Sequence, residues 1–354
     1  MTHDAFIKTD YEQLMKETRM LFDFELPSKP YSFATDVPLI QGKYPEDVTF
    51  QNNGVVVPLK KANKLSKVIV GHDGWVRSIC MDPYNKFFAS GSVDKLIKIW
   101  TMGGQLNLTL TGHLAAIRDL CISKQNPYLY SASEDKTIFC WDLTQNKAIR
   151  KYHGHLHGVY CMALDDSGLW MASGGRDSCC RIWDVRTRKQ ELVLTGFDST
   201  VSSVLINDNH IIAGSMDSTI RIFDKRNGDM IQGLTLHIKG VRSMVKHPIL
   251  NCFFSASADG IKAWKLDDYS LFCDLDGFET GIVHSLACND TTLVAGNDTG
   301  LLQYFDTDLM SRSNSVQSLP QPGSLTSEAS ILKCCFHKNI LYTGEVDKTI
   351  KVWK

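Results

Sequence analysis

The chain has 354 residues, 43% of them hydrophobic and 22% charged, the make-up of a soluble globular protein with a substantial core. Its 38 Lys and Arg against 39 Asp and Glu leave a net charge of −1, which excludes a global field drawing it to nucleic acid or an anionic membrane. No apolar run approaches the roughly 18 residues that span a bilayer, and the opening MTHDAFIKTDYEQ lacks a secretory signal, so an intracellular protein is expected.

In chain order, residues 1–64 come first, as an N-terminal arm. Within it Tyr11, Leu14, Met15, Thr18, Leu21 and Phe22 recur at helical spacing and LPSKP then ends the run, which predicts one short amphipathic helix. So short a helix is marginal alone, so it either folds back on the rest of the protein or docks into a groove of a partner. Next, LSKVIV (Leu65–Val70) has the pattern of an outer strand with no strand partner of its own.

From there the chain repeats itself. SGSVDKLIKIWT (90–101), SASEDKTIFCWD (131–142), SGGRDSCCRIWD (173–184), AGSMDSTIRIFD (213–224), SASADGIKAWK (255–265), AGNDTGLLQYFD (295–306) and TGEVDKTIKVWK (343–354) share one template. Their closing aromatics, Trp100, Trp141, Trp183, Phe223, Trp264, Phe305 and Trp353, are spaced by 41, 42, 40, 41, 41 and 48 residues. A period of about 40–45 residues ending in Trp-Asp marks propeller blades. In each copy two alternating runs flank a polar turn, around Asp94, Asp135, Asp177, Asp217 or Asp347, as a strand–turn–strand hairpin requires.

Seven copies predict an all-β, seven-bladed propeller over residues 65–354. The last copy stops at Lys354 after its third strand, so Leu65–Val70 is expected to supply the fourth and close the ring, removing an exposed edge. Between the sixth and seventh copies, residues 311–330 are rich in Ser and Pro and predict a surface loop.

Gly71-His72, Gly112-His113 and Gly154-His155 each place a His 22 residues before a turn Asp, an offset so fixed that it implies contact. The pattern resembles the WD40 family, in which His, Ser or Thr, Asp and Trp form a hydrogen-bonded tetrad inside the blade. Carried over, the tetrads are His72, Ser90, Asp94, Trp100; His113, Ser131, Asp135, Trp141; and His155, Ser173, Asp177, Trp183. Blade four has Phe197, Ala213 and Phe223 instead, and blade five keeps His237, Ser255 and Trp264 with a turn one residue shorter. Both are expected to rely on apolar packing and to open more readily than blades one to three.

The repeated Ser, His and Asp are the residue types of a hydrolase triad. An active site is needed once, however, and this set recurs with a Trp at fixed offset, so no catalytic residue is assigned. His153, His155 and His157 alternate as zinc-binding histidines on one strand would, but no Cys or carboxylate completes a set nearby. No phosphate-cradling or dinucleotide glycine motif occurs, so neither a metal nor a cofactor is expected. The eleven cysteines are scattered apart from two adjacent pairs, without CxxC, and read as reduced, buried small apolar residues.

Five residues after each Gly-His histidine, or its equivalent, stand Arg77, Arg118, Tyr160, Ser202 and Arg242, with His284 and Lys333 by looser alignment. The WD40 resemblance implies that this position faces the mouth of the central channel. Arg176, just before its turn Asp, joins the set. Arg77, Arg118, Tyr160, Arg176 and Arg242 are therefore the expected partner-binding residues, of types enriched at interface centres.

Several strings resemble one group in particular: GHDGWVRS (71–78), PYLYSASEDK (127–136), YHGHLHGVY (152–160), RIWDVRT (181–187), IKAWK (261–265) and PGSLTSE (322–328). They are similar to the pleiotropic regulator group of spliceosomal WD40 proteins, members of the nineteen complex. The arm is shorter than that group's, and the basic tail that commonly follows its last Trp is absent. The resemblance implies a nuclear scaffold in pre-mRNA splicing that grips extended segments of other splicing-factor proteins. RNA would be touched only indirectly or weakly, with no membrane and no small-molecule substrate. The alternatives are a substrate-recruiting or scaffold subunit of a ubiquitin ligase or signalling complex, and direct RNA binding at the channel mouth.

Overall fold

Apolar and polar residues alternate along each copy at the two-residue period of a strand, and each copy folds with its neighbouring sequence into a four-stranded antiparallel sheet. The computed structural model describes residues 64–275, 281–320 and 329–354. The helix expected over residues 11–22 and the PGSLTSE string lie outside the described residues. Contacts divide the chain into two units, Met1–Val57 and Pro58–Lys354, and everything described belongs to the second.

The described residues form seven such sheets. In blade one the strands Val76–Met81, Phe87–Ser92, Ile97–Thr101 and Leu106–Leu110 run in that order from the centre outward. The second strand is almost wholly buried, whereas the outermost is mostly exposed, because the inner strands have a neighbouring blade on each face. The innermost strands touch one another in chain order, and that of blade seven, Ile331–His337, returns to touch Val76–Met81. The apolar core is accordingly distributed between blades. Ile182 and Leu194 of blade three meet Val204, Ile211 and Phe223 of blade four. At the closure, Ile69, Val76, Phe88 and Trp100 meet Tyr342, Ile350 and Val352.

The fourth strand of blade seven is Leu65–Val70. It pairs antiparallel with Thr349–Trp353, Leu65 opposite Trp353 and Val70 opposite Thr349. The region expected as a loop over residues 311–330 needs correction at its start: Ser311–Gln317 is the outer strand of blade six, paired with Leu301–Asp306. An outer strand has only one packed face, so the mostly polar run SRSNSVQ, with Val316 as its one apolar side chain, suffices, and that polarity hid it.

The tetrads are hydrogen-bonded within blades one to three. His72 Nδ1 lies 2.7 Å from Asp94, its Nε2 lies 2.7 Å from Ser90 Oγ, and Trp100 Nε1 donates to the same hydroxyl at 2.7 Å. The tautomer follows. The ring nitrogen facing the carboxylate carries the N–H that donates to it, so Nε2 is the acceptor; the serine oxygen accepts the indole N–H and donates its O–H to Nε2. The second and third tetrads repeat this, with His113 at 2.7 Å from Asp135 and His155 at 3.0 Å from Asp177. Burial works against the ionised Asp177, but the hydrogen bonds it accepts from His155, the Leu156 N–H and Arg181 outweigh it and hold the carboxyl down at about 2.

Blade five corrects the expectation that it lacks a full set. Asp259 sits within 3.2 Å of His237 Nδ1, Ser255 Oγ is 2.7 Å from His237 Nε2, and Trp264 donates to Ser255 at 2.7 Å. The turn is shortened on the far side of Asp259, so the His-to-Asp offset of 22 survives. Ser255→Ala should strand an indole N–H and an imidazole nitrogen, costing about 2–4 kcal/mol in urea unfolding. A loss below 1 kcal/mol would mean the tetrad is ornamental there. Blade four does pack without a tetrad, Phe197 and Phe223 meeting at 5.8 Å between ring centroids. Asp217 still holds its turn, accepting the Asp198 and Thr219 N–H groups at 3.0 and 2.8 Å.

Blade seven builds its interior differently. Lys351 is 2% exposed, and its ammonium donates to Glu345, to Ser318 Oγ at 3.0 Å and to the Leu319 carbonyl at 2.7 Å, with Asp347 3.1 Å away. Thr343 takes the serine's place, accepting the Trp353 indole N–H at 3.0 Å and donating to Glu345 at 3.0 Å.

Candidate functional site

Each site side chain is aimed by an irregularity in its strand. The innermost strands shift register between Val76 and Ser78, Ile117 and Asp119, Val159 and Cys161, Val201 and Ser203, Val283 and Ser285, and Ile331 and Lys333. The residue left over at each shift, Arg77, Arg118, Tyr160, Ser202, His284 or Leu332, is a β-bulge, which kinks the strand and re-aims its side chain. In blade five the pairing starts only at Ser243, one residue after Arg242. Arg77, Arg118, Tyr160, Ser202, Arg242 and His284 thereby line one cavity of about 750 Å³.

Of the other expected positions, one lies outside the cavity and one lines it from an offset place. Arg176 is exposed in the turn after the strand Trp170–Gly175 and is not among the residues lining the cavity. Lys333 lies one residue past the bulge, and Leu332 holds the place equivalent to Arg77. From there Lys333 Nζ reaches Asp119 at 3.1 Å, tying blade seven to blade two. Sequence reasoning missed this pair, although a carboxylate in a column otherwise occupied by Ser78, Cys161, Ser203, Ser243 and Ser285 was a signal. Asp119 also accepts the Met162 N–H at 3.0 Å, and Ser203, Ser243 and Ser285 accept Met244, Leu286 and Cys334 N–H groups at 3.0, 3.0 and 2.9 Å. The column thus fastens blade to blade beneath the mouth.

The cations differ in how far they are satisfied. Arg118 is paired with Glu134, and its guanidinium carbon stands 4.3 Å from the Tyr160 ring centroid. Arg77 lies against Trp75 at 5.2 Å, but its Nε is buried without a hydrogen-bond partner. Burial, and then the charge of Arg118, pull the Arg77 guanidinium down to about 10. Burial, followed by the charge of Arg242, lowers His284 to about 4, so its imidazole is neutral at pH 7. Asp119 raises the Lys333 ammonium well above its usual value.

The Ser, His and Asp sets are sealed. Ser90, Ser131 and Ser173 have no exposed surface and each hydroxyl is engaged on both sides, so none offers a nucleophile to a substrate. The three neighbouring histidines are not on one strand: His153 ends the strand Lys147–His153, His155 serves its tetrad and His157 lies in the following loop. All eleven cysteines are free thiols, buried or half-buried, and burial pushes Cys80 up to about 12.

The model of the WD domain, G-beta repeat, matches residues 63–101, 104–142, 146–184 and 188–224. Protein pleiotropic regulator PRL2 of Arabidopsis thaliana is 46% identical over 294 residues, which take in 81% of this chain and 61% of the plant protein. The chain carries WD40 repeats and resembles the pleiotropic regulator family. Other relatives are Pleiotropic regulator 1 of Mus musculus, 43% identical over 116 residues, 32% of this chain and 22% of the mouse protein. Pre-mRNA-splicing factor PRP46 of Eremothecium gossypii is 42% identical over 105 residues, 29% of this chain and 25% of that protein. The chain spans about three fifths or less of the length of these relatives. The repeat matches end at residue 224, yet blades five to seven keep the same order of four strands.

Proposed function

We propose that this chain is a nuclear, non-enzymatic scaffold of pre-mRNA splicing, a subunit of the spliceosome-associated nineteen complex that grips extended segments of other splicing factors at the channel mouth. The observation that carries the proposal is the gathering of Arg77, Arg118, Tyr160 and Arg242, from four different blades, in one cavity, the first three of them at β-bulges that re-aim their side chains. Arg176 would meet a segment leaving the mouth, from its exposed turn. Support for the splicing context comes from relatives that bear the name of a pre-mRNA-splicing factor.

Affinity purification of the tagged chain from nuclei, read by mass spectrometry, tests the context. Splicing factors are the expected company; ligase or signalling subunits without them refute it. For the site, Arg77→Ala with Arg242→Ala should reduce partner capture about 30-fold or more, as loss of interface centres does. The melting temperature should fall by no more than about 2 °C, because among the described residues neither guanidinium is ion-paired and removing Arg77 also removes a buried donor that has no acceptor. Undiminished capture would remove the mouth from consideration.

A further inference from the structure

We infer that the channel mouth recognises a carboxylate, the side chain of a Glu or Asp in an extended peptide, held between Arg77 and Arg242 with apolar residues of the same peptide beside it. The inference rests on the mouth being the partner site and adds the chemistry of what enters it.

The charges at the mouth are unequally matched. Arg118 has Glu134, and Lys333 has Asp119. Among the described residues neither Arg77 nor Arg242 is ion-paired, and a buried Nε on Arg77 has nothing to donate to. An anion supplied by a partner is the group that matches these unpaired guanidinium charges, through short charge-assisted bonds in a site of low polarity. His284, kept neutral beside these cations, still has a nitrogen to donate, so the set offers an acid two guanidinium forks and an imidazole. Lys333 and Asp119, linked across from blade seven to blade two, put a polar floor under the cavity.

The surroundings favour a peptide over RNA. In the loops that lead into the innermost strands, the residues following the first tetrad position are Asp73, Leu114, Leu156, Asp198 and Ile238. Three of these are aliphatic, and they stand 80%, 69% and 80% exposed. Nucleic acid binds by tracking phosphates along a basic path and by stacking bases on free aromatic faces. Here the loop positions are apolar or acidic, and the Tyr160 face is covered by the Arg118 guanidinium. An acidic residue flanked by Leu or Ile matches both the cations and the aliphatic loops.

The test uses the full chain and three fluorescein-labelled probes. These are a twelve-residue Gly/Ser peptide carrying two Glu and two Leu, the same peptide with Gln for Glu, and a twelve-nucleotide oligouridylate, followed by polarisation at low and physiological salt. The Glu peptide should bind saturably in the sub-millimolar range, at least tenfold tighter than the Gln peptide. Arg77→Ala or Arg242→Ala should each weaken it about tenfold, and Lys124→Ala, which breaks an exposed pair with Asp166 elsewhere, should not. Equal binding of the Gln peptide, no binding of the Glu peptide, or tighter Arg77-dependent binding of oligouridylate would each overturn the inference. If the double variant still loses partner capture when the Glu peptide fails to bind, the carboxylate chemistry falls and the mouth remains a docking site. If capture also persists, both fall.

Discussion

A chain lacking Leu65–Val70 is expected to melt about 10 °C or more below the full chain and to elute as aggregate rather than monomer. That strand contributes the buried Ile69 to the cluster joining blades seven and one, and a fully buried Ile is worth about 1.5–3 kcal/mol. It also supplies the ladder bonds to Thr349–Trp353, extended by Lys64 N–H to the Lys354 carbonyl at 2.7 Å and its reciprocal at 3.0 Å, at roughly 0.5–1.5 kcal/mol apiece. Together these approach the whole net stability of an ordinary domain, about 5–15 kcal/mol. What remains would expose Thr349–Trp353 as an unpaired edge, a template for other chains. Ile69→Ala, which keeps the ladder, should cost only about 2–4 kcal/mol without aggregation. Calorimetry and gel filtration of the two variants give the answer, and a truncated chain that melts within 2 °C of the parent would show that blade seven stands on three strands.

Lys351→Ala is expected to be among the most destabilising single substitutions, about 3–5 kcal/mol, because it leaves Glu345 and Asp347 buried together without a counter-ion. The pH dependence should change with it. Burial pushes Glu345 up to about 7 from its usual 4.5, against the pull of Lys351. The folded state therefore holds a proton that the unfolded chain has released, so this group's contribution is fullest below pH 4.5, declines as pH rises to about 7 and is flat above. Without Lys351 the carboxyl should hold its proton to higher pH and the decline should continue past 7. Glu345→Gln should flatten the slope in the wild-type background. Urea midpoints at pH 5, 7 and 9 separate these cases; a Lys351→Ala loss under 1 kcal/mol would mean that water enters the cluster.

The circular arrangement was legible because the tetrad ties residues at fixed separations. One carboxylate must reach an imidazole 22 positions earlier, so the sequence keeps that distance even where the turn shortens, and counting forward from His237 would have found Asp259. Blade seven was harder. Its hub is a lysine on the third strand, served by Glu345 two residues after Thr343 and by Ser318 from a distant segment, and no short motif records such a meeting. At the mouth, the cation Lys333 drew attention away from the apolar pattern, in which Ile331 matches Val76 and therefore Leu332 matches Arg77. Bulges are invisible to a two-residue period, since each one adds a residue without altering the residue types around it.

The latch between Leu65–Val70 and Thr349–Trp353 also sets a timetable for biosynthesis. At about 5–20 residues per second, the early segment leaves the ribosome tens of seconds before the strand it pairs with. During that wait Leu65, Val68 and Val70, which stay largely exposed even in the finished protein, have no sheet beside them, and neither do the facing groups of the first blade. Until Thr349–Trp353 arrives, that edge is open to other chains, and arrest of translation before it is expected to leave a product unable to fasten.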